Sequence, residues 1–116
     1  MSKDCALLDR ALFDEFADLF DPEEMRDVIQ EWHADVQSAL LLMEEALQRS
    51  DPAEIGRIAH RTAGGGLALG ATSFAGVCEG LRAQADSGSG VTAGDIDRVR
   101  GAAVATHRAL TDAAGM

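Results

Sequence analysis

The sequence predicts an all-α protein, and three observations support this fold class. Apolar residues recur at three- and four-residue spacings along the chain, and β-branched residues never alternate with polar ones as they do in strands. Tyrosine is absent, whereas the helix formers Ala, Leu, Glu, Gln, Arg and Met are abundant. Both prolines directly follow an aspartate, as they do where a helix begins. At 116 residues, the chain is long enough for one domain with one core.

The first two helices follow from apolar spacing and one capping sequence. Apolar residues predict a short first helix over about residues 5–20. Asp21 can then cap a second helix, Pro22 suits its first turn, and Glu24 completes a capping box. A long apolar stripe carries this second helix to about residues 48–49.

The third helix is expected to begin with the same capping pattern and to end at a glycine. Asp51 and Pro52 begin it, with Glu54 at the third helical position. We expect it to end near Leu69, with Gly70 in the left-handed conformation that terminates many helices.

Two further helices complete the predicted fold. A fourth helix is expected to open at Thr72 or Ser73, before a flexible loop over residues 86–90. Thr92 opens the last helix. Four helices joined by short links predict an antiparallel up-down-up-down four-helix bundle, with the short N-terminal helix covering one end. Residues 1–116 then form a single helical bundle domain.

Composition and charge limit the possible partners. The net charge of −10 disfavours contact with nucleic acid or an anionic membrane. The N-terminus lacks the apolar core of a signal peptide, and no stretch is apolar enough to span a membrane. Cys5 and Cys78 have neither the density of a disulfide scaffold nor metal-ligand spacing, which favours two thiols in a reducing cytosol.

One histidine of the third helix stands on the side opposite the predicted core. On a helical wheel, His60 lies about 180° from the centre of the apolar stripe. That stripe comprises Ile55, Ile58, Thr62, Gly65 and Leu69. His60 is therefore expected to face solvent.

The glycines of this helix divide into two groups. Gly65 and Gly66 fall on the predicted buried half, where small residues let a neighbouring helix approach. Gly56 and Gly64 fall on the exposed half, where packing within the chain does not explain them. Together with exposed Leu67 they predict a bare surface around His60 that suits a docking partner.

The stretch from Ala59 to Gly70, followed by Phe74, Cys78 and Leu81, resembles the motif of histidine-containing phosphotransfer (HPt) domains. The resemblance implies a monomeric cytoplasmic phosphocarrier with the phosphoryl group on His60. Its partners would be receiver domains of a hybrid histidine kinase and of a response regulator. It would be no enzyme and have no ATP site or cofactor, since magnesium would sit in the receiver.

The sequence departs from the family motif at two positions. The lysine expected three residues after the histidine is Ala63, and the expected leucine is Thr62. Arg57 or Arg61 could take the place of the lysine, and the helical wheel favours Arg57 because it lies closer to His60. The resemblance places Gly56, Ala63, Gly64 and Leu67 on the surface used for access and docking.

The residues also bear on functions other than phosphoryl transfer. Without the lysine, the chain could be a binding module that docks a receiver or kinase and carries no phosphate. A di-iron bundle is disfavoured because no histidine follows a glutamate by three residues. His33 and His107 have no partners in the sequence pattern and are interpreted as ordinary surface or boundary residues. Cys78 has the spacing of a core thiol.

Overall fold

The computed structural model describes residues 7–116, which form five helices and no strands, so the all-α prediction is confirmed. We number the helices α1 (Arg10–Ala17), α2 (Pro22–Gln48), α3 (Pro52–Ala68), α4 (Thr72–Ser87) and α5 (Ala93–Ala113). Cys5 and the beginning of the predicted first helix lie outside the described residues. Within residues 7–116, no helix is both long and apolar enough to cross a membrane.

Side-chain caps set the starts of α2 and α5. The Asp21 carboxylate accepts from the Glu24 backbone at 2.8 Å, and the Glu24 carboxylate accepts from the Asp21 backbone at 3.0 Å. Thr92 and Asp95 form the same reciprocal box at α5. Each such cap contributes about 1 kcal/mol by satisfying backbone donors that no helical carbonyl can reach.

At α3, only half of the expected arrangement is present. The Asp51 carboxylate accepts from the Glu54 backbone at 3.2 Å, without the reciprocal bond.

The start of α4 differs from the prediction. Thr72 is already helical, and Ala71 occupies the cap position without a side-chain hydrogen bond. The link between α3 and α4 is so tight that the Ala71 backbone donates to the Gly66 carbonyl at 2.9 Å, and Ala71 is fully buried. The link itself therefore sets the helix start, and no polar cap is needed. At the other end, α4 continues to Ser87 and stops at Gly88, whose φ is +74°.

The four long helices pack in a ring, in which α3 contacts α2 and α4, and α5 contacts the same two helices. The contacts between α3 and α4 move away from their link in opposite directions along the two helices. Gly66 lies nearest Phe74, His60 pairs with Glu79, and Gly56 lies beside Ala85. These two helices therefore form an antiparallel hairpin, which carries the site described below.

The core is apolar and continuous through the ring. Trp32 of α2 meets Phe74 of α4 edge to face, with ring centroids 5.4 Å apart. Burying a side chain of this kind stabilises the fold by roughly 1.5–3 kcal/mol. The largest fully buried apolar side chains are Phe74, Ile29, Leu40, Met43, Ile55, Ile58, Ile96 and Leu110.

The segment leading into α1 covers the link between α3 and α4. The Asp9 backbone donates to the Gly70 carbonyl at 2.8 Å. Gly70 has the predicted positive φ, at +79°, and a Cβ atom there would come within 2.7 Å of the Asp9 carbonyl oxygen. The glycine is required by both its backbone conformation and this close approach.

Candidate functional site

His60 projects from the middle of α3 into solvent, with 60% of its side chain exposed. Its Nδ1 lies 2.8 Å from Oε1 of Glu79, which α4 supplies. A carboxylate can only accept, so Nδ1 carries the hydrogen. In the neutral imidazole, Nε2 therefore keeps its lone pair, and no hydrogen bond within residues 7–116 occupies it. The arrangement presents one unoccupied ring nitrogen to solvent.

The sequence interpretation missed Glu79. The signal was present, because His60 and Glu79 stand about equally far from the link that joins α3 and α4. In an antiparallel hairpin, residues so placed come together. Glu79 is 44% exposed, so the pair is accessible from outside the bundle.

Three arginines surround a cavity beside His60, with a volume of about 450 Å³. Arg57 and Arg61 come from α3, as predicted, whereas Arg82 comes from α4 and was missed. Asp86 lines the same cavity.

The three arginines differ in their ion pairs. Arg57 is paired with Glu54, whose hydrogen bond and charge raise the pKa of the guanidinium. Arg82 lies 3.6 Å from Asp86. Arg61 forms no ion pair with any described residue.

Two residues expected on the exposed surface are buried, which corrects the prediction. Gly56 and Ala63 are both buried, and only 1% of Ala63 is exposed. A Cβ atom at Gly56 would lie 3.5 Å from the Cβ of Ala85. The helical wheel failed here because α3 packs more extensively against α4 than against α2, so the buried arc is displaced toward α4. Neither residue can contact a partner directly.

The displacement also changes the assignment of the glycine run. Gly66 is buried, with a Cβ position only 3.1 Å from the Phe74 ring, as the packing interpretation required. Gly65 is exposed, contrary to prediction, and a Cβ atom there would contact nothing within 4 Å. It borders an open groove of about 290 Å³ between α2 and α3 that Trp32 and Arg61 also line.

Gly64 and Leu67 are exposed, as predicted for their positions. A Cβ atom at Gly64 would meet nothing within 4 Å, so packing inside the chain does not require this glycine. Leu67 is 48% exposed. We call the exposed surface formed by Arg57, His60, Arg61, Gly64 and Leu67 the His60 face.

His33 and His107 are both half-buried, as expected for boundary residues, but the sequence did not show that they contact each other. Their rings stack across α2 and α5 with centroids 4.1 Å apart. Burial and the neighbouring His33 lower the pKa of His107. The two residues are far apart in sequence, and only the packing of α5 on α2 brings them together.

Cys78 is fully buried, and burial raises the pKa of its thiol to about 12. The reactive thiolate is therefore strongly disfavoured in the folded protein, which agrees with a core thiol. Within residues 7–116, no three His, Cys, Asp or Glu side chains come together in a way that could hold a metal ion.

Comparison with known proteins gives a family match and a structural relative. The family model described as the Hpt domain matches residues 27–113. A similar solved structure is histidine-containing phosphotransfer protein B (HptB) from Pseudomonas aeruginosa PAO1, at 21% identity and a TM-score of 0.65. The match covers 92% of this chain and 87% of that one, and at this identity it supports the fold alone. Comparison with curated proteins finds no significant match.

Proposed function

This chain belongs to the Hpt domain family, and on that premise we propose that His60 carries a phosphoryl group within a multistep two-component phosphorelay. His60 accepts the group from the aspartyl phosphate of one receiver domain and delivers it to the aspartate of another. The receivers belong to a hybrid histidine kinase and to a response regulator. The observation that carries the proposal is the exposed imidazole with Nδ1 held by Glu79 and Nε2 unoccupied.

The chemistry follows from this arrangement. The Nε2 lone pair attacks phosphorus, an N–P bond forms, and the bond from phosphorus to the aspartate oxygen breaks. The receiver aspartate leaves as a carboxylate. The phosphorylated imidazole gains positive charge, which the adjacent Glu79 carboxylate stabilises. Glu79 thus acts as a positioning residue that selects the reacting nitrogen.

The remaining machinery comes from the partner. We assign the magnesium ion and most of the charge neutralisation to the receiver, so this chain acts as a phosphocarrier with no cofactor and no ATP site. Exposed Gly64 lets the receiver loops approach His60 closely, and Leu67 offers an apolar contact beside it. Arg57 or Arg61 contacts the phosphoryl oxygens from the α3 side.

The proposal also includes the domain organisation, location and helix topology that were predicted from the sequence. Residues 1–116 form a single domain that acts as a cytoplasmic monomer, without nucleic acid or membrane partners. The short links that join α2 to α5 support an antiparallel up-down-up-down bundle. The contacts of His33 with His107 and of Glu44 with Arg100 agree with antiparallel α2 and α5.

Transfer from labelled receivers tests the proposal. Receivers of the source organism are phosphorylated with radiolabel, purified from the kinase and mixed with the native protein, His60→Gln or Glu79→Gln. We expect label on the native protein, none on His60→Gln, and transfer slowed about tenfold in Glu79→Gln, by analogy with the carboxylate partners of metal-bound histidines. If His60→Gln is labelled as well as the native protein, the assignment of His60 is wrong.

The second candidate is a binding module that docks a receiver or kinase without carrying phosphate. The absence of the motif lysine at Ala63 supports it, and the burial of Ala63 adds that this position offers no basic group to the surface. Under this alternative, receivers bind the native protein and His60→Gln equally well, and neither variant takes up label. Binding measured by calorimetry alongside the labelling separates the two functions.

A further inference from the structure

Arginine side chains are concentrated beside His60 in an acidic protein, and the carboxylates of Glu54, Glu79 and Asp86 lie there as well. The chain has 20 acidic and 10 basic residues, yet three of its arginines line one cavity. Such a concentration next to a histidine suits a phosphoryl group, because guanidinium groups bind phosphoryl oxygens with two parallel hydrogen bonds. One arginine of α3, Arg57 or Arg61, is already assigned to the phosphoryl group, and Arg82 lines the same cavity from α4.

Arg82 reaches the cavity from the neighbouring helix. Its Cγ lies 3.8 Å from the position that a Cβ of Gly56 would take, so its aliphatic stem lies against α3. Gly56 stands one helical turn before His60. Arg82 therefore lies on the α4 side of α3, one turn before His60, and lines the same cavity as the histidine.

The ion pair between Arg82 and Asp86 is weak enough for Arg82 to exchange Asp86 for another anion. Its Nε lies 3.6 Å from the Asp86 carboxylate, and the two side chains are 42% and 63% exposed. Exposed pairs between residues four apart on a helix are weak. Arg57, by contrast, is held by Glu54 through both Nε and a terminal nitrogen. Arg61 also lines the groove between α2 and α3, so it borders the cavity from the opposite side of the helix.

We propose that Arg82 binds the phosphoryl oxygens on His60, supplying from α4 the cation that Ala63 does not supply from α3, and that it leaves Asp86 to do so. The inference rests on the proposed function. Before phosphorylation, Asp86 holds the guanidinium beside the cavity. After phosphorylation, the phosphoryl dianion outcompetes the single carboxylate, since it offers more charge and three acceptor oxygens. Glu79 remains on Nδ1, on the other edge of the ring.

A small-molecule donor tests this without any receiver. Phosphoramidate transfers its phosphoryl group to Nε2 as its own P–N bond breaks and ammonia leaves. The phosphorus resonance that is present in the native protein and absent in His60→Gln reports the phosphorylated His60. Two quantities are measured, namely the pH midpoint of that resonance and the half-life of the phosphorylated protein after the donor is removed.

Four variants make the result specific. In Arg82→Ala the midpoint should rise by about half a unit to one unit, since a nearby cation favours the dianion, and the half-life should fall about threefold. Arg82→Lys should recover part of both effects, and Asp86→Asn should shift both in the opposite direction to Arg82→Ala. Arg10→Ala is the matched control, because Arg10 and Asp14 have the same spacing, the same 3.6 Å separation and similar exposure away from His60.

The outcomes separate the two proposals. If Arg82→Ala leaves both quantities unchanged, or if Arg10→Ala changes them equally, the inference is wrong even where receivers label His60. If receivers never label His60 while the phosphoramidate product still depends on Arg82, the anion-binding role of Arg82 stands and the relay function does not. Circular dichroism melts of all variants exclude loss of fold as the cause.

Discussion

At the scale of single residues, the exposed glycine beside His60 is the clearest sign of a partner. Gly64 costs α3 about 1 kcal/mol relative to alanine, and no atom of the described chain would obstruct a Cβ there. Its presence is explained if a partner approaches the backbone at this point. A partner that docks on the His60 face would then explain why this position holds glycine instead of a residue with a side chain.

Replacing Gly64 by alanine should therefore separate stability from function. We expect Gly64→Ala to raise the free energy of unfolding by about 1 kcal/mol and to slow phosphoryl transfer from a receiver severalfold. Gly101→Ala is the control, because Gly101 is an exposed helical glycine of α5 with the same open surroundings. Chemical denaturation and transfer rates measure the two effects, and equal transfer rates in both variants would contradict the docking role.

The stacked histidines give the protein a predictable response to acid. Burial and His33 lower the pKa of His107 below the ordinary value of 6.5. The unfolded state therefore binds more protons than the folded state just below pH 6.5, and stability falls as pH decreases through this range. Above pH 6.5 the contribution of His107 to stability is fully present.

Denaturation between pH 5 and pH 7.5 tests this response. His107→Gln should flatten the fall in the free energy of unfolding below pH 6.5. Both proteins are compared in a His60→Gln background, which leaves His33 and His107 as the histidines of the reference protein. An unchanged slope would show that His107 is not the group responsible.

At the scale of helices, the hairpin of α3 and α4 determines the site. His60 and Glu79 meet only because the link between Leu69 and Ala71 is short and its geometry is fixed. Gly70 fixes that geometry through its positive φ and through its contact with the segment before α1. The register of the two helices, and with it the hydrogen bond to Nδ1, depends on this residue.

Two glycines with positive φ allow the link to be tested against a matched site. Gly88→Ala should cost about 1 kcal/mol, because only the backbone conformation is strained. Gly70→Ala should cost about 1–3 kcal/mol more, because its Cβ would also lie 2.9 Å from the Phe13 backbone nitrogen. Thermal unfolding of both variants measures the difference. Equal losses of stability would mean that the start of α1 moves away from the new Cβ atom at no cost in free energy.

At the scale of the whole molecule, the buried thiol of Cys78 reports global unfolding. The thiol lies in the core and its pKa is raised to about 12. In a Cys5→Ser variant, a thiol reagent should modify Cys78 at least roughly a thousandfold more slowly than in the denatured protein, because reaction requires the unfolded state. Rapid modification under native conditions would show that the ring of helices opens locally at α4.

The sequence determined the helices, the capped starts of α2, α3 and α5, and the exposure of His60. Helical periodicity and aspartate caps are local properties, so α2 and α3 begin at the predicted prolines, and His60 is exposed as the wheel required. The HPt motif is likewise a local pattern, and the family match confirms the identification drawn from it.

Only the tertiary structure decided which groups surround His60. Glu79 and Arg82 come from α4, and their approach depends on how closely the two helices pack. The same packing buries Gly56 and Ala63, while Gly65 is left exposed beside the groove between α2 and α3. A wheel drawn for one helix cannot place the centre of burial when two neighbours contact that helix unequally, because periodicity carries no information about the distance to either neighbour.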